Sequence, residues 1–250
     1  MVDMVHEEIE IQMADGTADA VVYRPERDGR WPGVLHLTDI YGIRPAYRDK
    51  AQSLAAAGYV VLMPNVFYRT SRPPVFERKP GASEADFRKR FNELTSPLTP
   101  EAIARDAATF VDVLARDAAV ASGSRLGVVG FCYTGAYAMR VAATCPERIV
   151  AAASFHGGSL ATDDPTSPHL LLPRIQAQLY FGHAVKDRSM PEEAIRKLEA
   201  ALAEWGGKYQ SEVYEGAHHG WTSSDNPAYN DPQSERAFSK LTELLGATLR

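Results

Sequence analysis

Residues 126–135 read Leu-Gly-Val-Val-Gly-Phe-Cys-Tyr-Thr-Gly. A short apolar run suited to a buried strand meets a glycine, one intervening residue, a cysteine and then a stretch of helical composition. That is the layout of a nucleophile elbow. In such a turn the nucleophile occupies a strained backbone between strand and helix, so the residues two before it and a few after it must be small. Gly130 and Gly135 meet that demand, while Thr134 is larger than the glycine often found two positions after the nucleophile. Cys132 would also stand at a helix N-terminus, where partial positive charge favours thiolate over thiol. Most free cysteines are simply small buried hydrophobes, but glycines on both sides of a strand-to-helix junction favour the nucleophile. Cys145, before Pro146 at a helix end, has no such setting and reads as structural.

Outward from this segment, short strand-like runs alternate with helical patterns, the signature of βαβ units around a mostly parallel sheet flanked by helices. Residues 7–12 and 19–24 flank Ala14-Asp15-Gly16 and read as an antiparallel edge hairpin. Strands are predicted at 33–37, 59–64, 126–129, 149–155, 178–181 and 209–214, and helices at 44–57, 101–115, 133–144, 191–205 and 234–245. Between 65 and 100 the pattern loosens, with prolines at 73, 74, 80, 97 and 100 and a charged island over 84–93. This stretch reads as a surface excursion, either a lid or substrate-binding loop or plain decoration. No repeat, low-complexity tract or linker interrupts the chain, so residues 1–250 are expected to form a single α/β domain.

A catalytic thiol needs a base, and the base needs an orienting group. His219, in Gly216-Ala-His-His-Gly-Trp221, follows the last predicted strand and fits the α/β-hydrolase order of nucleophile, acid, histidine. His218 is its neighbour and rival. Asp187 follows a strand in Leu179-Tyr-Phe-Gly-His-Ala-Val-Lys-Asp187 and fits the acid, with helix capping as its ordinary alternative; Asp163 and Asp164 are weaker rivals. Acyl transfer also needs N–H donors aimed at the developing oxyanion. The Tyr133 amide supplies one, and Ile40, in the loop His36-Leu-Thr-Asp-Ile-Tyr-Gly42, is the natural second. Asp39 in that loop is either an ordinary carboxylate or a modulator of the thiol.

Composition narrows the rest. The 250 residues are 45% hydrophobic and 24% charged, close to the globular average. With 27 Lys and Arg against 32 Asp and Glu, the formal charge of −5 argues against a nucleic-acid partner. Two cysteines cannot staple a secreted fold and read as thiols in a reducing compartment. Asp3, Glu7, Glu8 and Glu10 stand where a signal peptide would carry basic and apolar residues, and no apolar run reaches the roughly 18 residues of a membrane span. A soluble cytoplasmic protein is expected.

These residues resemble the dienelactone hydrolase family of α/β hydrolases, from about residue 21 to the C-terminus. The match rests on TDIYG (38–42), AAAGYVVLMPN (55–65), GFCYTG (130–135), GHAVKD (182–187) and YEGAHHGW (214–221), in the family's order and spacing. The resemblance implies a Cys132, His219, Asp187 triad, an oxyanion hole of the Ile40 and Tyr133 amides, and hydrolysis of a small ester or lactone with no metal or organic cofactor. In that family a glutamate after the third strand contacts the cysteine; Asp39 stands at that position, one methylene shorter. Family enzymes acting on dienelactone also hold its carboxylate with arginines. Arg69 falls in about the right place, whereas residues 221–226, Trp-Thr-Ser-Ser-Asp-Asn, supply none. Three other readings compete. They are a non-catalytic ligand-binding relative, a thiol-redox protein, which lacks a CxxC pair, and metal hydrolysis by His183, Asp187, His218 and His219, a poor match to helical HExxH spacing.

Overall fold

The computed structural model describes residues 4–77, 83–123 and 125–249. Residues 1–3 of the N-terminal reading and Pro80 of the excursion lie outside the described residues. The hairpin is β1 (Met4–Met13) and β2 (Gly16–Pro25), paired from Met4 with Pro25 to Met13 with Gly16. It joins β3 (Gly33–His36), β4 (Val60–Pro64), β5 (Leu126–Phe131), β6 (Ile149–Phe155), β7 (Gln178–Ala184) and β8 (Tyr209–Tyr214) in an eight-stranded sheet. The order is β1-β2-β4-β3-β5-β6-β7-β8; β1 and β2 run antiparallel, and β4 through β8 run parallel. Every residue of β3, β4 and β5 is buried, as strands covered on both faces must be.

The covering helices are α1 (Pro45–Ala56), α2 (Glu84–Thr95), α3 (Pro100–Arg116), α4 (Tyr133–Thr144), α5 (Glu192–Trp205) and α6 (Asp231–Leu249). Alternate strand residues sort into two apolar layers. Leu35, Leu62 and Val128 pack with α3, α4 and α5, while Val34, Val61 and Val129 pack with α1 and α6. The α/β-hydrolase architecture expected from the sequence is therefore present.

Most predicted elements differ from the observed ones only at their ends. The main departure is α2, read from the sequence as a charged island. Its start is set by a capping box in which Ser83 accepts from the Asp86 amide and Asp86 accepts from the Ser83 amide. A short 3-10 helix, Pro168–Arg174, also lies in the β6–β7 connection. No helix among the described residues is long and apolar enough to cross a membrane.

Candidate active site

The elbow at the end of β5 has the strained geometry its glycines imply. Cys132 has φ 54° and ψ −122°, a backbone that costs a non-glycine residue roughly 1–3 kcal/mol. A Cβ on Gly130 would lie 2.1 Å from the Thr134 carbonyl oxygen, and one on Gly135 would lie 2.4 Å from Ser154 Oγ. Only glycine fits either place. Thr134, the residue that departs from the common motif, is fully buried and ties the turn together. Its hydroxyl accepts from the Phe131 amide at 3.0 Å and donates to the Thr38 carbonyl at 2.8 Å, linking the elbow to the loop after β3.

Parallel registry brings the ends of β5, β6, β7 and β8 level, with Phe131 opposite Phe155, Phe155 opposite Gly182 and Gly182 opposite Glu212. The loops that follow carry the remaining groups. Asp187 is held after β7 with its side chain 3% exposed, and its Oδ2 accepts from His219 Nδ1 at 2.6 Å. Its Oδ1 accepts from the Ser189 amide at 2.8 Å and the Ser189 hydroxyl at 2.7 Å. The Val185 amide donates to the Ala217 carbonyl, which locks the acid's loop against the histidine's loop.

His219 lines the same cleft as Cys132. Burial alone would lower its pKa, but the bond to Asp187 and the proximity of Cys132 outweigh burial and raise it to about 10. Burial would raise that of Asp187, and the bonds from His219 and Ser189 instead hold it below the ordinary carboxylate value. The structure thus places Cys132, His219 and Asp187 in one cleft, with His219 bonded to Asp187. His218 is exposed beside it. His183 turns to Ser211 on the neighbouring strand and is pushed down to about 4 by burial. Asp163 pairs with Lys197, and Asp164 caps its own turn at Thr166. Cys145 lies at the far end of α4 from Cys132, as its C-cap.

Ile40, Tyr133 and Asp39 line the same cleft as Cys132, His219 and Asp187, and this cleft measures about 2160 Å³. Tyr133 is the first residue of α4, so its N–H has no intrahelical acceptor. The Ile40 N–H makes no hydrogen bond among those of the described residues.

Two sequence expectations need correction. Asp39 is buried beside the site, yet its carboxylate makes no hydrogen bond to Cys132 among the described residues. It accepts two bonds from Arg44, at 2.6 and 2.9 Å, and one from the Tyr41 amide. With one methylene fewer than glutamate, it is captured by the guanidinium five residues along. Arg69 does not line the cleft at all. It is spent on Asp106, whose side chain is 1% exposed, and on Asp15 in the hairpin turn, because a carboxylate buried that deeply requires a countercharge.

The sequence reading also missed two residues. Arg44, from the N-cap of α1, bonds Asp39, Ser223 and Asp225 at once. It therefore places a guanidinium against the very segment after His219 that lacks an arginine. His156, buried at the end of β6 with φ 40°, accepts from the Cys132 amide at 3.1 Å through Nδ1 and contacts Thr222 through Nε2 at 2.9 Å. Burial, with the charges of His219 and Lys50, keeps it well below the ordinary histidine pKa. The neutral ring stands edge-on to His219 and Trp221. Its only sequence signal is a histidine before two glycines at the end of the strand next to the elbow.

Comparison with known proteins bears on the family and the fold. A carboxymethylenebutenolidase from Rhodococcus opacus is 30% identical over 200 residues, 78% of this chain and 73% of that one. A solved Klebsiella pneumoniae structure assigned to the dienelactone hydrolases superposes with a TM-score of 0.85 at 22% identity, over 98% of this chain and 99% of that one. A dienelactone hydrolase structure from Anabaena variabilis gives 0.68 at 17% identity, covering 99% of each chain; these two likenesses speak to the fold alone. The sequence profile of the dienelactone hydrolase family matches residues 18–249, and with nearly the whole chain so covered, the protein belongs to that family of carboxylic ester hydrolases.

Proposed function

We propose that the protein hydrolyses a small ester or lactone through a covalent acyl-enzyme on Cys132. The observation that carries this reading is an elbow cysteine at φ 54° sharing its cleft with His219, whose Nδ1 is bonded to Asp187 at 2.6 Å. Asp187 receives Nδ1–H and fixes the ring, so the opposite nitrogen faces the thiol. In the reacting state His219 carries the proton and Cys132 is the thiolate nucleophile.

The thiolate attacks the carbonyl carbon and the C=O π pair moves to oxygen. That oxyanion accepts hydrogen bonds from the Ile40 and Tyr133 amides. Collapse breaks the carbon–oxygen bond of the ester, and the leaving alkoxide takes the His219 proton. Water then attacks the thioester while His219 accepts its proton, and expulsion of the thiolate restores the site. One water is consumed and one acid and one alcohol are released; for a lactone they remain one hydroxy acid. The residues named and water suffice for every step. The relative from Rhodococcus opacus named for carboxymethylenebutenolide hydrolysis supports a lactone among the substrates.

Steady-state hydrolysis of activated esters tests the reading. Cys132→Ala is expected to fold normally and to lose turnover; turnover at the wild-type rate would refute it.

A further inference from the structure

One face of α4 continues past the nucleophile. Tyr133, Ala136, Tyr137 and Arg140 all line the cleft, and seven residues of helix put Arg140 about 10 Å from Tyr133 along the axis. Arg140 is half-buried, and among the described residues its one hydrogen-bond partner is the Thr166 carbonyl, at 2.5 Å. Among the described residues, the other arginines that are not exposed are Arg24, Arg44, Arg48, Arg69 and Arg90, and each has a carboxylate within 4 Å. Arg140 has none. Burial lowers its pKa, with Tyr133, Asp164 and Glu101 acting on it only through space. A guanidinium carries five N–H donors, and taking it out of water unpaired is costly.

The cleft that Arg140 and Cys132 share is walled by rings. Tyr41, Phe76, Phe87, Phe91 and Tyr133 form a chain of contacts with centroids 5.1, 5.3, 6.1 and 5.7 Å apart, and all five line the cleft. Such a wall offers an apolar body a favourable surface and leaves its polar end to Arg140.

We propose that Arg140 binds a carboxylate of the substrate, so that the esters or lactones best served by Cys132 carry one about 10 Å beyond the scissile carbonyl, across an apolar spacer. A planar carboxylate matches the guanidinium fork. Asp164, which also lines this end of the cleft, disfavours a dianion such as a phosphate monoester more strongly than a single negative charge. This inference rests on the cleft being the ester-hydrolysing site.

The test uses 4-nitrophenyl monoesters of straight-chain dicarboxylic acids of increasing length, each beside its uncharged carboxamide twin. The acid-to-amide ratio of kcat/KM is expected to peak, at about tenfold or more, for the acid whose extended length is about 10 Å. Arg140→Gln should bring that ratio close to one, and Arg140→Lys should keep part of it. Equal rates for the twins at every length, or a ratio that survives in Arg140→Gln because both twins slow alike, would overturn the proposal.

Calorimetry separates this from the hydrolase reading. The half-amide of the matching diacid should bind wild-type protein and Cys132→Ala but not Arg140→Gln. If no ester is turned over, binding that depends on Arg140 still supports the anion subsite and only the Cys132 chemistry fails. Binding equal in all three proteins, or absent from all three, overturns the subsite.

Discussion

Replacing Thr134 by valine keeps its volume and removes the hydroxyl that bonds the Phe131 amide and the Thr38 carbonyl, both buried. Urea unfolding should show a loss of about 1–3 kcal/mol, and kcat should fall with it because the elbow and the Ile40 loop lose their shared bond. A variant with unchanged stability would remove Thr134 from that role. Asp187→Asn keeps the shape of the acid and frees the His219 ring, so kcat should drop on the order of 10²- to 10⁴-fold with KM little changed. Titration gives a further check at this scale. Folded His219 holds its proton to about 10 against an ordinary 6.5. A folded pKa above the unfolded one makes the contribution to stability fully present below pH 6.5 and lost as pH rises from there through about 10. The thermal midpoint of the wild type should therefore fall across that window more steeply than that of His219→Gln; parallel curves would contradict the assignment.

At the scale of elements, the pairing of Arg69 with Asp106 joins the segment after β4 to α3. Arg69→Ala leaves the Asp106 side chain, 1% exposed, without its countercharge, at a cost of about 3–5 kcal/mol. Since Arg69 lies outside the cleft, KM for a neutral ester should hold in the fraction that remains folded. A raised KM with stability intact would return Arg69 to substrate binding. Ser83→Ala removes the capping box of α2, worth about 1 kcal/mol. The loosened Phe87 and Phe91 wall should then raise KM for apolar esters while kcat holds. These elements also show what the sequence could and could not reveal. The strand β5, its glycines and α4 were legible because each local demand, an apolar run, a small residue and a helical pattern, lies within ten residues. The start of α2 rests on an aspartate in a box more often closed by glutamate or glutamine, and its apolar positions Phe87, Phe91 and Leu94 are diluted by charge, so it read as surface. Arg69 was misplaced because the carboxylates that capture it stand 54 residues before it and 37 after it. Arg44 pairs locally with Asp39, but its reach to Ser223 and Asp225 spans about 180 residues and is not encoded nearby.

Across the whole molecule, a parallel sheet assembles the candidate site by bringing strand ends level. Cys132 follows β5, His156 follows β6, Asp187 follows β7 and His219 follows β8, so four distant loops meet at the carboxyl edge where open α/β sheets place their ligands. The order of Cys132, Asp187 and His219 along the chain was legible in the sequence; their supports, His156 behind the elbow amide and Ser189 behind Asp187, depend on contacts between loops that spacing does not encode. The central claim is that chemistry passes through a covalent acyl group on Cys132. Intact-protein and peptide mass spectrometry of enzyme quenched during turnover of an activated ester tests it directly. One acyl group on Cys132 in the wild type, accumulating further in Asp187→Asn and absent from Cys132→Ala, is the predicted result. Turnover without an adduct on Cys132, undiminished in Cys132→Ala, would contradict it.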